Sequence, residues 1–187
     1  VYTIDTTVPH APNVLNQDGS YTDPQMIVVE IPTNGDVFYT VDGSEPNMES
    51  NHYAYPFPMP IGANTLKFVT INYQGVKSEV TIRKFNLTME RDITPAQAVN
   101  SLVMELTNRG YLLDYNGYVA GLEGRNAYLM TSAIRIDGED FYLIYEKYED
   151  VDGSMTETGN IFAVNTITNE FYKYNLKANG NYWITPF

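Results

Sequence analysis

The chain has 187 residues, 23 acidic against 11 basic for a net charge of -12, and no cysteine. These counts exclude a disulfide framework, a thiolate metal site and a cysteine nucleophile, and the charge argues against a binder of nucleic-acid phosphates. An apolar content of 43% with 13 Gly and 10 Pro is that of a folded chain, and no apolar run approaches the roughly 20 residues of a membrane-spanning helix.

The first half reads as β structure. The run 26–31 is β-rich and closes at Pro32 and the Asn34-Gly35 turn pair. The run 37–41 follows at hairpin spacing and stops at Asp42-Gly43. Runs 65–71 and 80–85 complete the set, with Gly75 between them. None carries a 3.6-residue stripe, so the pattern predicts an antiparallel β-sandwich. The absence of crossover helices argues against a purely parallel sheet.

The mode changes at Thr94. Thr94 is placed as N-cap, Pro95 at the first helical position and Gln97 where it completes a capping box. Ala98, Val99, Leu102, Val103 and Leu106 then recur on one helical face, and Gly110 follows as the left-handed terminator. Strands are predicted at about 118–122, 128–136, 141–148, 161–165 and 171–175. Asp137-Gly138 joins two of them as a tight hairpin, and Thr168-Asn169 supplies another turn. One helix followed by such strands reads as an α+β domain with the helix packed on one face of an antiparallel sheet. The expected domains are 5–87 and 92–187. Both are acidic: 4 basic against 9 acidic residues through Leu87, and 7 against 14 after it.

The segment Val37-Phe38-Tyr39-Thr40-Val41-Asp42-Gly43-Ser44-Glu45-Pro46 resembles the signature of chitobiase/β-hexosaminidase C-terminal-type domains. Further pieces stand in that family's order: Ser50 to Tyr53 with Pro56, Gly62 to Lys67, and Gly75 to Glu79. The resemblance covers about residues 8–87. It implies an Ig-like or fibronectin-III-like fold and a repeated, non-catalytic module of bacterial secreted or surface proteins. Val1 to Ile4 resemble the closing strand of such a module, as Lys84 to Leu87 do at the other end. In physical terms the signature is a turn, in which Asp42 and Ser44 bond nearby backbone and Gly43 takes positive φ.

The unit 161–172 is similar to a strand–turn–strand motif of small PepSY-like and cystatin-like α+β domains, with Asn169 in place of the usual turn glycine. The helix opening at Thr94 fits the same architecture. Such domains imply no catalytic residue.

Candidate chemistry is sparse. Glu146, Glu149, Asp150 and Asp152 form the densest acidic cluster, but 149–157 lacks the first acidic position of an EF-hand loop and reads as a solvated hairpin tip rather than a calcium site. With 23 acids, a carboxylate pair at glycosidase spacing carries no information. His10 and His52 have neither carboxylate nor thiolate company in sequence. No nucleophile elbow, P-loop or dinucleotide fingerprint occurs. The reading is therefore no enzyme, no metal and no cofactor.

Tyrosine is in excess, with 16 Tyr against one Trp. Most lie on predicted strands, where sheet propensity accounts for them. Tyr53 and Tyr55 flank a Pro-rich loop, Tyr115 and Tyr118 cluster after the helix, and Trp183 lies near the C-terminus. These five are the candidate ligand-binding residues, as aromatic platforms with polar edges.

The chain lacks an initial Met and a visible signal peptide, so it reads as an excised or processed part of something longer. The expected role is a non-catalytic extracellular or cell-surface module of a bacterial secreted protein or lipoprotein, with further modules upstream. It would act as a spacer or adhesion unit that binds a cell-wall or host glycan. A peptide-binding or protease-inhibitory domain is the alternative, and an accessory fragment of a glycoside hydrolase the lesser one.

Overall fold

The computed structural model describes residues 7–187; the expectation for Val1 to Ile4 lies outside the described residues. The chain divides into two compact units at Met89 and Glu90.

The first unit opens with β1 (Asn13–Val14), β2 (Gly19–Tyr21), β3 (Met26–Ile27) and β4 (Val29–Glu30). It continues with β5 (Asp36–Thr40), β6 (Asn51–Tyr53), β7 (Phe57–Pro58), β8 (Gly62–Ile71) and β9 (Thr81–Leu87). A five-stranded sheet runs β2-β9-β8-β5-β6, and two short ribbons pair β1 with β4 and β3 with β7. One core joins them: Val14, Ile27 and Val29 come from the ribbons, and Val37, Leu66, Phe68, Phe85 and Leu87 from the sheet. Residues from both layers in one cluster make this an Ig-like sandwich.

Two details differ from expectation. The single strand expected over 26–31 is split at Val28, whose N–H donates to the Asn16 side chain at 2.9 Å and whose carbonyl accepts from Leu15 at 2.9 Å. The run changes partner there, from β7 to β1. The sheet is also not wholly antiparallel, because β2 runs parallel to β9.

The signature segment is a turn. Asp42 Oδ1 accepts from the Ser44 N–H at 3.0 Å and the Ser44 hydroxyl at 2.6 Å, which holds the carboxyl below its ordinary pKa. Gly43 has φ +79°, and the Thr40 hydroxyl closes the turn on the Ser44 carbonyl at 2.7 Å.

The second unit comprises α1 (Pro95–Asn108), β10 (Arg125–Ile136), β11 (Glu139–Glu149), β12 (Met155–Asn165), β13 (Phe171–Leu176) and β14 (Tyr182–Pro186). The strands pair in sequence order as an antiparallel meander. The helix start is as the sequence predicts. Thr94 caps the Gln97 N–H and the Gln97 side chain accepts from the Thr94 N–H, with Pro95 in the first turn. Ala98, Leu102 and Leu106 are the buried stripe. The β10–β11 turn carries Asp137 at φ +52° and Gly138 at φ +87°, and Asn169 stands at φ +60°; both predicted turns are present.

The strand expected at 118–122 is not formed. Tyr118 makes one isolated bridge to Arg125 and the rest is turn. Asp114 is the reason: its carboxylate accepts from the N–H groups of Asn116 and Tyr118 and from the Asn116 amide, which curls the chain instead of extending it.

Segment 91–94 is tied to the sheet. The Ile93 N–H donates to Thr166, and the Tyr142 hydroxyl donates to the Ile93 carbonyl, both at 3.0 Å. Arg91 and Arg135 both fork onto the buried Asp140 carboxylate, at 2.7–3.0 Å.

Candidate ligand site

The second unit holds two open clefts that share Asn126 and Tyr128. The larger has a volume of about 690 Å³. Its walls are the outer helix residues Val99, Asn100, Val103 and Met104, the loop residues Tyr115, Asn116 and Gly117, and the start of β10 from Arg125 to Tyr128. The smaller, about 460 Å³, lies at the helix C-terminal end, where Leu106, Tyr111 and Leu112 face Glu146, Asn160, Phe162, Lys173 and Phe187.

The loop between α1 and β10 sets the first cleft. The buried Leu112 pins its root. Thr107 donates to the Asp114 carbonyl at 3.3 Å, and Leu113 donates to the Tyr118 carbonyl at 2.7 Å. Hydrogen bonding from Asn116 holds the Asp114 carboxyl below its ordinary pKa. The Asn126 N–H closes on the Gly117 carbonyl at 2.8 Å. On this loop Tyr115 is 64% exposed and lines the cleft together with Asn100, Asn116 and Asn126. Apolar area with a few fixed polar groups is the usual make-up of a small-molecule cleft.

The second cleft is built around a buried charge. Glu146 is 6% exposed and accepts from the Tyr128 hydroxyl at 2.8 Å, the Thr158 hydroxyl at 2.8 Å and the Asn160 amide at 2.7 Å. Burial, then the negative Glu146 beside it, pushes the Tyr128 phenol well above its ordinary pKa, so the phenol stays a donor.

The five predicted residues are not brought together. Tyr115 lines the larger cleft. Tyr118 is exposed beside it but does not line it. Trp183 is on the edge strand β14, under the Lys177 ammonium at 5.3 Å. Tyr55 is half-buried in the first unit. Tyr53 is a correction: it is 3% exposed, its hydroxyl accepts from the Val29 N–H at 2.9 Å, and its ring packs edge-on to Phe57. The Pro-rich stretch does not hold it out as a platform, because Phe57 pairs with Ile27 and Met59 is fully buried, which straps the loop onto the core.

The lining residues Asn126, Tyr128, Asn160 and Phe187 carry no mark in the sequence, where Glu146 reads as part of the acidic cluster at the hairpin tip. Glu146 is not at the tip but inside β11. The available signal was its position directly after the apolar run 141–145, on the strand itself and ahead of the hairpin tip. The tip itself is closed by its own backbone, with Asp150 and Asp152 accepting from Val151 and Ser154. Among the described residues, no group of three or more His, Cys, Asp or Glu is placed to hold a metal ion, and no helix is long and apolar enough to cross a membrane.

Fold and clefts together define a mostly β protein: an Ig-like sandwich unit, then a unit of one helix and a five-stranded meander. Residues 16–82, within the sandwich, match the family described as chitobiase/beta-hexosaminidase C-terminal domain. That is an accessory domain of glycoside hydrolases, not a catalytic one. No curated protein matches the chain.

Proposed function

We propose that the protein is a non-catalytic, extracellular or cell-surface module of a bacterial secreted protein or lipoprotein, and that it binds carbohydrate. The single observation that carries this reading is the match of residues 16–82 to an accessory domain of carbohydrate-active enzymes. The sandwich domain, expected over 5–87 and described from residue 7, is a spacer, and 92–187 is a separate α+β domain that carries the ligand cleft. In that cleft Tyr115 stacks on a sugar ring, and the Asn100, Asn116 and Asn126 amides pair with hydroxyls. Trp183 is an accessory contact and Tyr118 borders the site, whereas Tyr55, in the first unit, takes no part in that cleft. A cell-wall or host glycan is the partner.

A glycan array tests this. Binding that Tyr115→Ala weakens about tenfold or more, with Tyr55→Ala unchanged, supports it. Silence across all polysaccharides overturns it, and hydrolysis of chromogenic glycosides overturns the non-catalytic role.

A further inference from the structure

The β11–β12 pairing breaks at one place, and that place is Glu146. Tyr145 pairs with Ile161 and Lys147 with Glu157, so Glu146 alone faces Thr158, Gly159 and Asn160. Gly159 turns the extra length with φ +80°. Bulges of this kind re-aim side chains beside functional sites. Here the bulge folds the Thr158 hydroxyl and the Asn160 amide onto one carboxylate, while the neighbouring strand supplies the Tyr128 hydroxyl. All three donors are neutral.

A carboxylate this buried normally has a cationic partner, since neutral donors satisfy its lone pairs but not its charge. Among the described residues Glu146 makes no ion pair. Lys173, on β13, lines the same cleft without pairing with it. The other carboxylate buried in this unit, Asp140, is held by two arginines. Glu146 opens instead on a cavity with Phe162 and Phe187 in its wall, apolar rings against which a sugar's carbon face can lie, the Phe187 ring already carrying the Arg109 guanidinium at 4.7 Å. The chain's net charge of -12 acts in the same direction.

We infer that the Glu146 cleft selects a sugar bearing a free, protonated amine, the ammonium docking on the Glu146 carboxylate while the ring lies against Phe162 and Phe187. This rests on the carbohydrate reading above and adds to its Tyr115 cleft a second subsite, in the smaller cleft that shares Asn126 and Tyr128 with it. An N-acetyl group would bring no charge to the carboxylate, so the free amine is the form the site distinguishes.

The test is calorimetric titration of the whole chain with two tetrasaccharides of equal length, one of glucosamine and one of N-acetylglucosamine. The expected result is about tenfold or more tighter binding of the amine form. Glu146→Gln, which keeps the side-chain shape, should lose that preference. Glu49→Gln, the same charge change on an exposed residue of the first unit, should keep it. Equal affinity for both sugars in the wild type, or a preference for the acetylated one, overturns the inference and leaves the carbohydrate reading standing. A preference that survives in Glu146→Gln, or vanishes equally in Glu49→Gln, overturns it as an effect of overall charge. Binding of neither sugar, on a chain that binds other glycans on the array, overturns the amine assignment alone; silence on both overturns the carbohydrate reading too. The wild-type comparison needs no variant to fold.

Discussion

Asn126 donates its backbone N–H to the carbonyl of Gly117 at 2.8 Å, and the two backbones meet so closely that no side chain fits between them. A Cβ on Gly117 would stand 2.0 Å from the Asn126 carbonyl oxygen, and the residue has φ +91°. This contact closes the loop that carries Tyr115 onto the start of β10. Gly117→Ala must therefore shift the loop as well as strain the backbone. We expect a stability loss of about 1–3 kcal/mol by urea denaturation and weaker glycan binding than that loss explains. An unchanged urea midpoint would show that the loop does not depend on this contact.

Asp140 makes the second unit sensitive to acid. Burial raises its carboxyl pKa, but the hydrogen bonds and charges of Arg135 and Arg91 outweigh burial, and the net shift is downward. A carboxyl whose folded pKa is depressed contributes stability above its unfolded value, about 3.9, and loses it as pH falls through the lower folded value. Stability of this unit should therefore be level near neutrality and decline below about pH 4. Asp140→Asn should cost about 2 kcal/mol at pH 7 and flatten that acid limb. Urea midpoints between pH 2 and 7 for the two proteins check both points; parallel curves would rule out Asp140 as the titrating group.

The capping box at Thr94 invites a smaller, local test. Thr94→Ala removes the acceptor for the Gln97 N–H, at 3.3 Å, and the hydroxyl's bond to the Gln97 side-chain Oε1, at 2.8 Å. The expected loss is about 1 kcal/mol, typical of an N-cap. The Asn variant, a good cap, should recover most of it. Amide exchange in the first helical turn should accelerate in the Ala variant and not in the Asn one.

What was legible in the sequence follows from how local each feature is. The helix, its cap and the Asp137-Gly138 hairpin rest on residues within four positions of one another, and all are present. The Asp42-Gly43-Ser44 turn is equally local, and the family match covers it. Strands β1, β6 and β7 were invisible because two- or three-residue strands have no periodicity to read. Strand β14 ends in Pro186 and carries no clean alternation of apolar residues. The clefts were hidden for another reason. Their walls join Leu106, Tyr128, Glu146, Phe162 and Phe187, which the meander alone brings together. Tyr115 was found because it sits in a loop rich in turn residues, whereas Tyr128 looked like any other strand tyrosine.

Tyr53 and Tyr55 give the sharpest contrast between a core residue and a surface residue two positions apart. Tyr53 packs among Val29, Val37 and Met59 in the sandwich core, and burial raises its phenol pKa. Truncating it leaves a cavity and an unpaired Val29 N–H. Tyr53→Ala should therefore cost about 3–5 kcal/mol, the range for large aromatic truncations, enough to unfold a marginal unit. Tyr53→Phe keeps the packing and removes only the hydroxyl acceptor, so it should cost about 1–3 kcal/mol. Tyr55→Ala, half-buried and outside that cluster, should stay within about 1 kcal/mol of wild type. Thermal unfolding of the three variants, followed in the first unit, decides the matter. A Tyr53→Ala protein that melts like the wild type would mean that this ring does not carry the core as its burial requires.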